Sequence, residues 1–250
     1  LPFPVHVIAG NMDVGNKHTR QRGPHKERND TLLNMRSERI QFFASYFGPI
    51  HWTFLHRDVR FTGFYAAVAG SGLPEEKQFW RLLEKLPNLP PARHHVAMMH
   101  YWPFMERPDE PDWNLTRPDE YHNWYFTISQ PHRARMLDLL QAARVDILFC
   151  GHVHLGRPVE TVGKMRVIKT PAAGFSAQLV DRWPEREPRV GFQKCCVTDS
   201  GIEVQFVAGD EQRGNEGAWG PGGHPLPEAR DYSIARETPP LAPDPWLVQS

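Results

Sequence analysis

The chain has 250 residues, which is enough for one sizeable domain or two small ones. Lysine plus arginine and aspartate plus glutamate are equal at 29 each, so no overall charge favours binding to nucleic acid or to an acidic membrane surface. With 40% hydrophobic and 11% aromatic residues the composition is that of a globular protein, and no apolar run approaches the ~18 residues of a membrane span.

The cysteines and the N-terminus bear on the cellular compartment. Cys195 and Cys196 are adjacent and Cys150 lies in an apolar run, so the three form neither a disulfide framework nor a C-x-x-C metal motif. We expect all three to be buried thiols, which favours a reducing, cytoplasmic compartment. Prolines break the apolar run at the N-terminus and no basic region precedes it, so the start does not resemble a signal peptide.

The first thirty residues predict a strand, a turn and a loop. Residues 4–9, P-V-H-V-I-A, form an apolar, β-branched run that is typical of a strand, and a glycine-flanked polar turn follows at 10–16. Residues 17–30 are rich in lysine, arginine, histidine and asparagine and predict an exposed loop. Its basic cluster is either a solvated surface or a contact for a phosphate-bearing ligand.

Hydrophobic periodicity predicts the elements of the central part of the chain. Apolar residues at helical spacing predict helices over residues 37–47, 75–86 and 132–143. Apolar runs bounded by turn residues predict strands at 50–55, 59–65, 95–100, 145–150, 165–169, 177–180, 190–197 and 202–207. Since strands follow helices twice, the pattern predicts a layered α/β fold with some parallel sheet.

Two segments lack periodicity. Residues 101–131 are irregular and rich in proline, acidic residues and aromatics, and they predict either a binding loop or a loop that buries its own aromatic side chains. From residue 209 the chain is rich in glycine, proline and charge. We therefore divide the chain into a domain at 1–208 and a tail at 209–250.

Side chains that can bind metals follow three of the predicted strands. Asn11 follows the first strand, His100 ends the fourth, and His152 and His154 follow the run I-L-F-C-G. Residues i and i+2 of an extended segment point the same way, so the last two histidines should face one pocket. Because ligands gather at the carboxyl ends of strands in open α/β sheets, a shared metal site is favoured over unrelated surface histidines.

In this order the residues resemble the conserved blocks of the calcineurin-like metallophosphoesterases, which run D-x-H, G-D-x-x, G-N-H-[DE], a lone histidine and G-H-x-H. The chain has Gly10-Asn11-Met12-Asp13, then His100, then Gly151-His152-Val153-His154, and the resemblance covers roughly residues 4–207. It implies a four-layer α/β/β/α sandwich with a two-metal centre that hydrolyses phosphoesters. The cofactors would be divalent ions of manganese, iron or zinc, and the substrate a phosphoester.

The resemblance also implies a role for each matching residue. Asn11, His100 and His152 would bind the second metal of the pair. His154 would bind the first metal, and Asp13 would orient the group that handles charge on the leaving group.

Two departures from the family pattern limit what the chain should do. The D-x-H and G-D-x-x blocks are absent before Asn11, so we expect an N-terminally incomplete sandwich without its first strands and without the bridging carboxylate. Two divalent ions ~3.5–4 Å apart repel by roughly 15–20 kcal/mol at an effective dielectric constant of ~20, and neutral ligands do not offset this repulsion. We therefore expect at most a single, weak metal site.

The second departure is at Met12, which replaces the family histidine and cannot act as a general acid.

Three functional hypotheses follow. The first is a part of a metal-dependent phosphoesterase, in which metal-bound hydroxide attacks phosphorus. The alternative is a non-catalytic relative that keeps the sandwich as a binding scaffold, with residues 101–131 as its contact surface. A mononuclear iron or zinc protein fits less well, because no carboxylate lies at ligand spacing beside His152.

Overall fold

A computed structural model describes residues 4–24, 30–174, 183–187 and 189–209. Its α-helices are α1 Asn11–Val14, α2 Ser37–Phe47, α3 Pro74–Lys85, α4 Pro118–Phe126 and α5 His132–Ala142. Its strands are β1 Trp52–His56, β2 Val59–Phe64, β3 His94–Met99, β4 Ile147–Cys150, β5 Glu160–Val162, β6 Met165–Lys169, β7 Gly191–Thr198 and β8 Gly201–Ala208. Short 3-10 helices lie at Asp30–Leu33, Ala66–Val68 and Leu86–Asn88. The predicted strand at 177–180 and all but the first residue of the predicted tail lie outside the described residues.

Six of the strands form one mixed sheet in the order β1-β2-β3-β4-β6-β5. The pairs β2–β3, β3–β4 and β4–β6 are parallel, whereas the outer pairs β1–β2 and β5–β6 are antiparallel. Parallel neighbours need a crossover connection, and α3 and α5 supply it before β3 and β4 respectively. The predicted layered α/β fold with parallel sheet is confirmed.

One face of this sheet packs against helices. Ala97, Leu148 and Val167 are fully buried on three neighbouring strands and belong to the main core. The same core contains apolar side chains of α3 and α5, namely Phe79, Leu83, Met136 and Leu140. The helical periodicity seen in the sequence thus serves to cover this face of the sheet.

The opposite face packs against the β7–β8 hairpin. Val96, Ile147 and Ile168 alternate with the residues of the first face, as side chains do along a strand, and they form a second core with Ile202 of β8. Within the described residues the layers are therefore helices, a six-stranded sheet and a two-stranded sheet. The second helical layer of the predicted sandwich is not among those residues.

Several predicted elements are confirmed and one is wrong. The three predicted helices match α2, α3 and α5 to within one residue at each end. Residues 4–9, however, do not form a strand, because in the described chain the edge strand β1 pairs only with β2. The segment is held instead by a side chain: the Trp52 indole N–H donates to the carbonyl oxygen of Val7 at 2.9 Å, and Ala9 is buried.

The two loop predictions also have definite outcomes. The predicted exposed loop at 17–30 is confirmed only in part: Lys17, Thr19 and Asp30 are buried, whereas the other described residues are exposed or half-buried, with His18, Arg20, Gln21 and Arg22 exposed. Residues 101–131 contain α4, which the sequence did not indicate, and they bury most of their aromatic side chains. The interpretation of this segment as one that packs its own aromatics is therefore confirmed, whereas its role as a binding loop stays a prediction.

The expected burial of the cysteines is wrong for two of the three. Cys150 is buried in β4, but Cys195 and Cys196 on β7 are exposed. β7 lies in a two-stranded sheet, and most of its side chains face solvent. The argument from buried thiols to a reducing compartment therefore loses most of its basis. Among the described residues, no helix is both long enough and apolar enough to cross a membrane.

We predict that Ile202→Ala lowers the free energy of unfolding by about 2–4 kcal/mol, because Ile202 is buried between the hairpin and the six-stranded sheet. Val197→Ala on the same hairpin is a matched control, since Val197 is 43% exposed, and it should cost only about 0.5 kcal/mol. Urea denaturation measures both. Equal losses would contradict the packing of this hairpin on the sheet.

A buried histidine links the sheet to α5. The Nδ1 atom of His95 lies 3.1 Å from the carbonyl oxygen of Ala143, so Nδ1 carries the proton and Nε2 accepts from the Thr62 hydroxyl at 2.8 Å. Burial lowers the pKa of His95 from 6.5 to about 4. The folded chain therefore holds this ring neutral.

We predict that His95 makes the fold sensitive to acid. Between pH 6.5 and 4 the unfolded chain binds a proton at His95 that the folded chain does not, so the free energy of unfolding falls as pH falls through this window. Protonation of His95 in the unfolded chain should lower the free energy of unfolding by about 2–3 kcal/mol between pH 7 and pH 4.5. Urea denaturation of wild type and His95→Gln at both pH values isolates it, and an equal pH dependence in the two proteins would contradict it.

Candidate metal centre

The register of β3 and β4 brings two histidines to one edge of the sheet. Met99 pairs with Cys150, and just beyond the strands the N–H of Gly151 donates to the carbonyl oxygen of His100 at 2.9 Å. His152 follows one residue later. As a result Nδ1 of His152 lies 3.0 Å from Nε2 of His100.

Asn11 adds a third polar atom to this pair. It is the first residue of α1, and its Oδ1 lies 2.8 Å from Nε2 of His100. Its amide nitrogen donates to Asn16 Oδ1 and to the Tyr125 hydroxyl, each at 3.0 Å. These two acceptors fix the orientation of the carboxamide, so that its oxygen is the atom presented to His100.

The hydrogen bonds assign the protons of the cluster. Nε2 of His152 lies 3.2 Å from the carbonyl oxygen of Tyr125, which only accepts, so Nε2 carries the proton and Nδ1 has a free lone pair. His100 Nε2 therefore faces two acceptors, Asn11 Oδ1 and His152 Nδ1, and a single N–H cannot serve both fully. A cation at this point would instead accept a lone pair from all three atoms.

The electrostatic environment keeps both rings neutral. Burial first and the nearby His154 second lower the pKa of His100 from 6.5 to about 4. The pKa of His152 lies well below its ordinary value, because of burial first and the charge of His100 second. Neutral imidazole is the form that binds metals, and a ligand histidine commonly donates its other N–H to a backbone carbonyl, as His152 does to Tyr125.

The prediction that the G-H-x-H segment is extended is wrong. His152 and His154 have φ values of 69° and 62°, in the left-handed region, so the chain turns at both residues instead of continuing the strand. This conformation costs about 1–3 kcal/mol per non-glycine residue and is typical of functional loops. His154 is half-buried beside the cluster, but the close contacts described above are those of His152.

The predicted position of Asn11 also needs correction. It stands at the start of a short helix and not at the end of a strand, although it still reaches the same edge of the sheet. Within that helix, Oδ2 of Asp13 accepts the N–H of Gly10 at 2.7 Å and so stabilises the turn that carries Asn11. Met12, between them, is 89% exposed.

Two residues of the cluster were not predicted. Asn16 was part of the predicted glycine-flanked turn, and its short distance from Asn11 in the sequence was an available signal. Tyr125 lies in a segment that was predicted to be irregular, more than a hundred residues from Asn11 along the chain. No local pattern marks it.

The residues present fit one metal ion and not two. Asn11, His100 and His152 offer three neutral ligand atoms around one point. The described part of the chain contains no group of three histidine, cysteine, aspartate or glutamate residues suited to a metal ion, and the first-metal role of His154 stays a prediction. Three neutral ligands leave both charges of a divalent ion uncompensated, which favours weak binding.

Comparison with known proteins gave structural likenesses only. No family model and no curated protein matches the chain. GAP50, the anchor in the inner membrane complex of Plasmodium, is 17% identical with a TM-score of 0.43 over 63% of this chain and 50% of that protein. Purple acid phosphatase PPD1 from yellow lupin (Lupinus luteus) is 14% identical with a TM-score of 0.49 over 80% of this chain and 38% of that one. PhoD is 10% identical with a TM-score of 0.38 over 78% and 49%. The chain thus spans half or less of each of these structures.

Proposed function

We propose that the chain carries part of a metal-dependent phosphoesterase site, in which Asn11, His100 and His152 hold one divalent ion. The observation that supports this most directly is the convergence of Asn11 Oδ1, His100 Nε2 and His152 Nδ1, with neighbouring atoms 2.8 and 3.0 Å apart. These are the residues that the resemblance to the metallophosphoesterases assigns to one metal. When bound, the ion would supply positive charge that stabilises phosphoryl oxygens.

The protein side of this site is preorganised. The carbonyl oxygen of Tyr125 selects the tautomer of His152 that leaves Nδ1 free, and Asn16 together with the Tyr125 hydroxyl orients the carboxamide of Asn11. No rotation of these side chains is needed to present three lone pairs. The site lacks a proton donor at position 12, where the exposed methionine replaces the family histidine.

A non-catalytic scaffold is the second candidate function, and Met12 is the observation that favours it. A binding protein with this fold has no need of a general acid, and loss of the histidine would leave its packing unaffected because the position is exposed. The two candidates differ in one measurable property, the turnover of phosphoesters by the metal-loaded chain.

We predict one divalent ion per chain. Calorimetric titration with Zn²⁺ and with Mn²⁺ should give a single site, and His152→Ala or Asn11→Ala should weaken it by at least about 10-fold, because each removes a ligand atom or its orientation. His56→Ala is the matched control, since His56 is an exposed histidine at the end of β1 and should leave binding unchanged. Two tightly bound ions, or unchanged affinity in His152→Ala, would refute the assignment.

We predict that Met12→His raises kcat/KM of the metal-loaded chain on alkyl phosphoesters by up to about 100-fold, because a protonated imidazole there can donate to a poor leaving group. The gain should be small on p-nitrophenyl phosphate, whose leaving group needs no proton. Because Met12 is exposed, the substitution should not disturb packing.

Met12→Gln is the control for this prediction, since glutamine is polar but supplies no acidic proton. An equal gain with glutamine would contradict a general-acid role. No gain with histidine would favour the scaffold function over the phosphoesterase.

A further inference from the structure

A buried lysine lies beside the metal cluster and has only neutral partners. Lys17 is 7% exposed. Its Nζ donates to the carbonyl oxygen of Thr127 at 2.7 Å and to the hydroxyl of Ser129 at 3.2 Å, and it lies 4.5 Å from the ring centre of Trp124. An ammonium group has three N–H bonds, and these two acceptors engage two of them.

The charge of Lys17 is not compensated by an ion pair in the described residues. Asp112 is near enough to raise the pKa of the ammonium and Arg133 lowers it, but burial outweighs both and brings the pKa to about 7. A buried cation without a counter-ion is unfavourable, since its hydration is lost and no opposite charge replaces it. An anion bound at this point would offset that cost.

The lysine opens onto a cavity of about 150 Å³. Its polar lining includes Lys17, His18, Ser129 and His132. At about 30 Å³ per water molecule the volume corresponds to about five waters, which is less than the roughly 300 Å³ or more of most sites for organic ligands. The size fits a single oxyanion or one such group of a larger molecule.

The polar groups available in the cavity are suited to an oxyanion. The third N–H of Lys17 is free of the two acceptors already described, and the Ser129 hydroxyl accepts from Lys17 and so keeps its own proton for donation. The nearby carboxylate of Glu76 is engaged by the backbone N–H groups of Gly70 and Gly72 at 2.7 and 2.8 Å. The negative charge of Glu76 is therefore directed at the backbone N–H groups of that turn.

The cavity and the metal cluster are built from residues that are adjacent in the chain. Lys17 directly follows Asn16, which accepts a hydrogen bond from Asn11, and Trp124 directly precedes Tyr125, which bonds to both Asn11 and His152. The charge of Lys17 is close enough to contribute to the lowered pKa of His152. The two sites are therefore neighbours at one edge of the sheet.

We propose that this cavity binds one small oxyanion, inorganic phosphate or the phosphoryl group of a larger ligand, with the Lys17 ammonium and the Ser129 hydroxyl as its partners. The choice of phosphate among oxyanions rests on the proposed function, whereas the site itself rests on the buried lysine and its cavity. It assigns a phosphoryl-binding role to a residue outside the metal ligands. If correct, it would make Lys17 a phosphate contact, which is the alternative that the sequence left open for the basic segment 17–30.

Thermal denaturation in EDTA at pH 6.5 tests the site without metal. Phosphate, added against chloride at constant ionic strength, should raise the Tm of the wild-type chain by about 3–6 °C at ten times its Kd. Lys17→Met should show no such rise, while Lys77→Met, which removes an exposed lysine on α3, should behave as wild type. No rise in wild type, or an equal rise in Lys17→Met, would overturn the proposal.

Further variants keep this test independent of folding and of the metal site. Should Lys17→Met fail to fold, Ser129→Ala serves in its place and should weaken phosphate binding about 10-fold, whereas unchanged affinity would overturn the proposal. His152→Ala should lose metal binding but retain the phosphate-dependent rise in Tm, so failure of one site is distinguishable from failure of the other.

The source of the phosphoryl group is tested by a parallel titration. A similar rise in Tm with phenyl phosphate would show that the cavity admits the phosphoryl group of a larger ligand. A rise with inorganic phosphate alone would support a site for the free ion. Lys17→Met should abolish either response.

Discussion

The parallel register between β3 and β4 is the constraint on which the site depends. Both faces of these strands are covered, with Ala97 and Leu148 in the helical core and Val96 and Ile147 under the hairpin. A slip of one residue would exchange the two faces of either strand, so burial on both sides holds the register strongly. That register in turn places His152 directly against His100 just beyond the strand ends.

The segment between β3 and β4 completes the site because it is folded back on itself. The N–H of Trp102 donates to the carbonyl oxygen of Phe126 at 3.1 Å, and the N–H of Ile128 donates to the carbonyl oxygen of Trp102 at 3.2 Å. The buried guanidinium of Arg133 bonds to backbone carbonyls of the same segment, including that of Pro108 at 3.0 Å, and pairs with Glu110. This closure holds Tyr125 in place, and Tyr125 then contacts both Asn11 and His152.

The charges at this edge of the sheet favour an anionic ligand. The side chains of Asn11, His100 and His152 are neutral, and among the described residues that line the cavity Lys17 contributes an ammonium group. A cation next to the cluster opposes a second metal ion and attracts phosphate. The proposed occupants, one weakly held divalent ion and one oxyanion, are consistent with this charge distribution, whereas a tightly held pair of divalent ions is not.

Much of the fold followed from the sequence, because helix and strand periodicity reports which side of each element is buried. The pattern placed α2, α3, α5 and the central strands, and it located His100 and His152 at the ends of β3 and β4. It erred at residues 4–9, where a β-branched run has no strand to pair with in the described chain. It also missed α4, whose aromatic residues are buried on several sides and show no clear stripe.

The site depends both on motifs in the sequence and on contacts made only in the tertiary structure. The sequence alone determined the types of candidate ligand residue and their order along the chain, since Asn11, His100 and His152 stand in a set of motifs that resembles a known family. Only the tertiary structure decided the left-handed turn at His152, the role of Tyr125 and the burial of Lys17. The last two depend on contacts between residues 114 and 110 positions apart, and local periodicity carries no information about partners at such separations.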